Sequence, residues 1–508
     1  MGKHLKNKKK PVWVPLHPLL FFTILLERVP HWMRDAVGGA TFDALVFHLK
    51  VPLEGSDTSL LGSFLIKALL PAIILHVFFL FLIEYWPERL KQKHENKPES
   101  AIWPKIQRLG RIVRRMLPKI IDVCFVVELV LLLHTISLGK YIENQLHSST
   151  WIEENYVKPA EDLLTWPEKK RNLIYIYLES METTYMSESE GGIYPENLIP
   201  ELTELVNENL SFSDKQALHG GARTTTGATW TMGAMFAQTS GLPLKIPVES
   251  NSMNEYAVFF PKVVSLGDLT RQAGYRNILM LGSYATFAGR RLYFTEHGEY
   301  ELYDYTWARE NQKIPEDYYV FWGFEDERLI ELTKEKLLEA AQSDEPFNLT
   351  MLTVDTHFPD GYRCRLCREE HETDYKDALS CSSRQIGAFV KWIQQQDFYE
   401  NTTVILCGDH LTMAAEIGKD APAGYNRTVY NCILNPAAEP EQSDGRVFTT
   451  MDMFPTTLAA LGVQIEGDRL GLGTNLFSGR PTLAEEIGYD ALEENVSLHS
   501  KFMDSLAH

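Results

Sequence analysis

Asn172-Leu-Ile-Tyr-Ile-Tyr-Leu178-Glu179-Ser180 is the stretch that decides the fold. It is apolar almost without a break and then turns abruptly polar. A strand with one wet face alternates, whereas a strand covered on both faces reads as a continuous apolar run. Similar runs recur at Asn277–Leu281, Phe347–Val354, Thr402–Leu406 and Val429–Leu434. Helical patterns separate them, at Pro261–Ala273, Glu325–Ala341, Ser382–Gln396 and Met451–Leu461. Strands alternating with helices predict an α/β fold, a mostly parallel sheet flanked by helices on both faces.

In such a sheet, ligands bind beyond the carboxyl ends of the strands. The first run ends in Glu179-Ser180, the third in Asp355-Thr356-His357-Phe358-Pro359, and the fourth in Gly408-Asp409-His410. Carboxylates and imidazoles thus reach one edge from several strands. Polar groups at the ends of buried strands are costly unless they have partners. The expected partner is one divalent cation held by Glu179, Asp409, His410 and a hydroxyl. Mixed oxygen and nitrogen donors suit Mn²⁺ first, with Zn²⁺ or Mg²⁺ as alternatives.

The hydroxyl is sought in His219-Gly-Gly-Ala-Arg-Thr224-Thr225-Thr226-Gly227-Ala-Thr229-Trp-Thr231-Met232. The glycines permit a tight turn, and the chain becomes helix-friendly from Met232. A hydroxyl at a helix start lies in a field that favours an alkoxide and an incoming phosphate. Thr226 is the expected nucleophile and fourth metal ligand, with Thr224 and Thr225 as rivals. The chemistry expected is phosphoryl transfer through a phospho-threonine ester. His357 would donate a proton to the leaving alcohol or hold the phosphate, and Arg290 and Arg291 would clamp phosphate oxygens.

The rest of the chain bears on location. The net charge of −19 speaks against nucleic acid as a partner. Pro11–Leu26, Leu60–Ile83 and Ile120–Leu138 are apolar segments, the first the shortest. Lysines at 3, 6 and 8–10, and a basic stretch from Arg89 to Lys119, flank them. Under the positive-inside rule these flanks are cytoplasmic, and everything beyond about residue 140 lies outside. The expected layout is a transmembrane domain of about three spans over 1–140 and a juxtamembrane linker at 141–170. A catalytic domain at 171–485 and a C-terminal tail at 486–508 follow. Cys364, Cys367 and Cys381 crowd one polar region. A disulfide from Cys381 to Cys364 or Cys367 is expected, ahead of zinc binding with His371 in an incomplete ligand set.

Leu178-Glu179-Ser180, Thr226-Gly-Ala-Thr229, Thr356-His357-Phe358-Pro359 and Gly408-Asp409-His410-Leu411 together resemble a known family in order and spacing. Residues from about 171 to 480 look like the alkaline phosphatase–sulfatase superfamily, within it the membrane-anchored phosphoglycerol transferases such as lipoteichoic acid synthase. The Cys/Ser-x-Pro-x-Arg signature of sulfatases proper is absent from the sequence. The resemblance implies that Glu179, Thr226, Asp409 and His410 bind metal, that Thr226 is the nucleophile and that His357 contacts substrate. Thr229 follows Thr226 as in the family's Thr-x-x-Ser/Thr. The implied reaction moves phosphoglycerol from phosphatidylglycerol to a surface glycan, glycolipid or polymer outside the plasma membrane. Transfer of phosphoethanolamine, or a lipid-binding regulatory role without catalysis, are the alternatives.

Overall fold

The structure is a computed structural model that describes residues 16–36, 59–86, 89, 103–245 and 258–507. The lysine run before residue 11 and part of the basic stretch lie outside these residues. The described residues divide into two compact units, the first through residue 140 and the second from residue 141.

The first unit is helical. Helix α1 spans Leu16–Ala36, α2 covers Leu61–Ile83, and α3 runs Trp103–Thr135. Trp32 Nε1 of α1 donates to Ser63 Oγ of α2 at 3.2 Å, and the Phe21 ring meets His76 edge-on at 5.6 Å. Among the described residues α2 is the one helix long and apolar enough to cross a membrane. Three segments were expected to do so. The other two are helical but interrupted by charge: α1 carries Glu27 and Arg28, and the apolar half of α3 carries Lys119, Asp122 and Glu128. Helix α3 carries the described part of the basic stretch beyond Arg89 and most of the third apolar segment as one helix.

The second unit is built on a six-stranded sheet. Its strands are β1 (Asn172–Leu178), β2 (Arg276–Leu281), β3 (Glu301–Tyr303), β4 (Phe347–Leu352), β5 (Thr402–Gly408) and β6 (Asn431–Leu434). The order is β3-β2-β4-β1-β5-β6. All neighbours are parallel except β5 and β6, so the sheet is mixed, with an antiparallel edge. Strand β1 lies at the centre, paired with β4 on one side and β5 on the other. Leu173, Ile174, Ile176 and Leu178 are fully buried, which explains the unbroken apolar run. Each contributes about 1.5–3 kcal/mol of hydrophobic stabilisation. Strand β3 was missed, because Glu301-Leu-Tyr303 is too short to carry a periodic signal.

Helix α4 (Thr231–Ser240) is the element that matters for the site. Its Gln238 accepts from Tyr175 of β1 at 2.7 Å and donates to the Gly408 carbonyl of β5 at 3.1 Å. The helix is thereby pinned across the neighbouring strands β1 and β5. Residues 141–170 and 486–508 are not mere connectors. Ile152 is buried, Val157 bridges to Gly471, and the helices Tyr489–Ser497 and Lys501–Leu506 bury Leu492, Val496 and Met503 in the main core. The expected tail is packed helix, drawn in by apolar side chains at helical spacing.

Candidate active site

Two strand ends meet helix α4 at one edge of the sheet. Strand β1 delivers Glu179 and then turns through Ser180, whose φ of +52° is uncommon for a residue with a side chain. Strand β5 ends at Gly408, where a Cβ would lie 2.1 Å from the Met181 carbonyl oxygen. Only glycine lets the two chain reversals come this close. Asp409 and His410 follow at once.

The side chains interlock. Ser180 N–H and His410 N–H each donate to Asp409 Oδ1 at 2.7 Å, and Ser180 Oγ donates to Glu179 Oε1 at 2.7 Å. His410 Nδ1 faces the Leu411 carbonyl at 2.9 Å. A carbonyl only accepts, so Nδ1 carries the proton and Nε2 presents a lone pair in the neutral ring. That Nε2 lies 3.6 Å from Glu179 Oε1 and 3.4 Å from Asp409 Oδ2. Thr231 Oγ completes the group, 3.2 Å from Glu179 Oε2 and 3.4 Å from His410 Nε2. Glu179, Asp409 and His410 are at most 2 % exposed.

Burial first, then the neighbouring Glu179 charge, pushes the Asp409 carboxyl up to about 7, against the pull of His410 and two N–H donors. Burial also disfavours a charged His410, yet the two carboxylates outweigh it and raise its pKa. Glu179 feels the same desolvation, overcome by His357, His410 and the Ser180 hydroxyl, and ends below its ordinary value.

These residues fit a divalent cation. Two carboxylates, an imidazole lone pair and a hydroxyl converge, and the buried Asp409 Oδ2 accepts no hydrogen bond. Their separations of 3.2–3.6 Å match the spacing of ligands around a metal with bonds near ~2.1 Å. Such oxygen-rich donors at buried positions need positive charge among them.

Thr226 is not part of this group. Its N–H donates to Glu493 Oε2 at 3.0 Å, and its hydroxyl donates to Glu493 Oε1. The hydroxyl that reaches the cluster is Thr231, the first residue of α4, which the sequence reading passed over. The signal was present: the predicted helix start at Met232 makes Thr231 the hydroxyl at that start. Spacing within the threonine run favoured Thr226 instead. Gly227, at φ +86°, turns the chain between the two.

His357 lies where its charge acts on Glu179. Its ring sits between Trp322 (4.7 Å) and Phe358 (4.8 Å), and Nδ1 donates to the Phe358 carbonyl at 2.8 Å. Arg290 is buried and donates to Ser283 Oγ and the Tyr284 carbonyl. Burial lowers its pKa to about 10, opposed by Glu179, Asp304 and Asp409, so it stays cationic at neutral pH beside the site. Arg291 turns elsewhere and pairs with Asp304 at 2.7 Å. Asp326 and Asp355 were not singled out, although they brace the loop before His357. Asp326 accepts from Val354 N–H and Asp355 N–H, and Asp355 accepts from Asp326 N–H. Burial lifts both carboxyls, Asp326 to about 7. The sulfurs of Cys364, Cys367 and Cys381 are free thiols, and the expected disulfide is absent.

Known proteins bear on this geometry. The sulfatase family model matches residues 171–463. Phosphoglycerol transferase I of Escherichia coli (strain 55989 / EAEC) is 34 % identical over 335 residues, covering 64 % of this chain and 41 % of that protein. The chain therefore spans about two fifths of the length of the curated relatives it matches. Among solved structures, the lipooligosaccharide phosphoethanolamine transferase A of Neisseria meningitidis superposes with a TM-score of 0.50 at 12 % identity, covering 89 % of this chain and 85 % of that one. A lipoteichoic acid synthase from Listeria monocytogenes gives 0.49 at 18 % identity, over 65 % and 80 %.

Proposed function

The chain belongs to the sulfatase family, and from that premise we propose that it is a membrane-anchored phosphoglycerol transferase. It takes the headgroup of phosphatidylglycerol and passes it to a surface glycan, glycolipid or polymer through a phospho-threonine at Thr231. The observation that carries this reading is the Thr231 hydroxyl at the start of α4, within hydrogen-bonding reach of both Glu179 and His410. The 34 % identity to phosphoglycerol transferase I supports the headgroup assigned.

A divalent cation, Mn²⁺ by preference, would be held by Glu179, Thr231, Asp409 and His410 and would supply hydroxyl acidity and charge neutralisation. The Thr231 proton leaves toward Glu179, which already accepts that hydroxyl. Thr231 Oγ bonds to phosphorus as the bond from phosphorus to the diacylglycerol oxygen breaks. His357, when doubly protonated, gives its Nε2 proton to the departing oxygen and keeps Nδ1–H on the Phe358 carbonyl. Arg290 holds negative charge near the phosphoryl oxygens. An acceptor hydroxyl, giving its proton to His357, then displaces Thr231, which regains its proton from Glu179.

The first unit suits an anchor. Along α2, Ile66, Ile74, Val77 and Phe78 are more than half exposed, and Val123, Val126 and Val130 of α3 likewise. An apolar surface of this extent calls for lipid. We place the helices in the plasma membrane as a multi-pass domain, with the catalytic unit outside.

The test is a donor assay on the full chain in mixed vesicles with Mn²⁺. Headgroup-labelled phosphatidylglycerol should yield diacylglycerol and transiently labelled protein. Turnover of phosphatidylethanolamine alone would transfer the reading to phosphoethanolamine. Cation binding with no phospholipid turnover would end the enzymatic one.

A further inference from the structure

A second cluster of ligating side chains lies apart from the carboxylates. Cys364 and Cys367 sit in the loop that follows His357, and Cys381 belongs to the helix Asp374–Gln394. Cys364 Sγ is 3.8 Å from Cys381 Sγ and 3.8 Å from Cys367 Sγ, and all three sulfurs lie within 4.8 Å of one another. A disulfide needs about 2.05 Å. Tetrahedral metal–sulfur bonds of about 2.3 Å set neighbouring sulfurs about 3.75 Å apart. Two of the three separations therefore have the edge length of a thiolate tetrahedron.

The surroundings favour anionic sulfur. Leu366 N–H donates to Cys364 Sγ at 3.4 Å. Gln385 Nε2 donates to Cys381 Sγ at 3.5 Å and to Cys364 Sγ at 3.7 Å. The Cys367 N–H closes the two-residue spacing into a turn on the Cys364 carbonyl at 3.1 Å. His371 is engaged elsewhere, its Nε2 against Ser380 Oγ at 2.7 Å.

We propose that Cys364, Cys367 and Cys381 bind a thiophilic divalent cation, Zn²⁺, as three thiolates with water in the fourth position. Binding forms three metal–sulfur bonds and releases the thiol protons to solvent, with no change of oxidation state. Soft sulfur donors select against the hard cations that the carboxylate centre accepts. The cation would fasten the loop beginning at His357 to the helix that carries Cys381.

The test uses the full chain with its thiols reduced and Co²⁺ as the probe. A near-ultraviolet sulfur-to-cobalt charge-transfer band should appear, be displaced by Zn²⁺, survive Glu179→Gln and vanish in Cys367→Ser. In the unaltered chain, Zn²⁺ should slow alkylation of these thiols at least tenfold, which does not depend on the variant folding. Absence of the band from folded protein would overturn the assignment. So would a covalent link from Cys381 to Cys364 or Cys367 in protein whose thiols were trapped at lysis. Because the band requires sulfur, it reads the same whether or not the chain proves to be a transferase.

Discussion

Thr231→Ala lowers phosphatidylglycerol turnover by roughly 10³-fold or more, the scale of losing a nucleophile, and removes the covalently labelled species. Thr226→Ala, five residues away in the same loop, leaves turnover within a few-fold. The contrast follows from where the two hydroxyls point. Thr231 meets Glu179 and His410, whereas Thr226 is taken up by Glu493. Losing the Thr226 hydroxyl forfeits a hydrogen bond to a charged group, worth about 1.5–3 kcal/mol, so that variant should melt earlier while retaining activity. Intact-mass measurement during turnover, with peptide mapping of the labelled threonine, checks both halves. Labelling at Thr226, or full activity in Thr231→Ala, would refute the assignment.

Stripping divalent cations has the second large effect, and its pH dependence has a definite sign. In the metal-free chain the Asp409 carboxyl titrates at about 7, against ~3.9 for an unfolded aspartate. Between these values the folded state holds a proton that the unfolded state has lost. Its contribution to stability is therefore full below about pH 4 and fades as pH rises toward 7. Asp326, also raised to about 7 by burial, acts in the same direction. Cation binding must displace the Asp409 proton, so Mn²⁺ affinity should rise with pH up to about 7 and level off above it. Thermal melts of stripped and Mn²⁺-loaded protein from pH 5 to 8 should diverge most at the alkaline end. Asp409→Asn keeps an acceptor for Ser180 N–H and His410 N–H but removes the charge. It should fold, yet bind Mn²⁺ more weakly by at least the roughly 10–100-fold seen when an outer partner of a ligand is lost. A Mn²⁺ affinity independent of pH over this range would contradict the role given to Asp409.

Much of this is legible in the sequence, for a physical reason. A central parallel strand must be apolar on both faces, so the runs Asn172–Leu178, Phe347–Val354 and Thr402–Leu406 announced the strands Asn172–Leu178, Phe347–Leu352 and Thr402–Gly408. The topology then fixed where their polar ends had to go, which is why Glu179, Asp409 and His410 were expected at one edge, where the structure brings them together. The threonine was harder. Its identity depends on which residue begins α4, and helix boundaries blur by a residue or two in sequence. Arg290 and Arg291 are adjacent, and only side-chain direction separates the one beside Glu179 from the one paired with Asp304. The thiols were misjudged because crowding in sequence does not fix the separation between sulfurs. Residues 486–508 looked like a tail because their helices are short.

The Glu493 clasp on Thr226 joins residues 267 positions apart. A ribosome must therefore make strands β2 to β6 and the helix Tyr489–Ser497 before the threonine loop can acquire its last partner. Tyr489, on the same helix, also donates to the Thr224 carbonyl at 2.6 Å. The threonine segment is thus completed by what is translated late, and a nascent chain would lack both contacts until then. Stalled chains ending before Tyr489 should be cut by protease within residues 222–230, and chains extended past Glu493 should resist. Equal cleavage of both would deny this order of assembly.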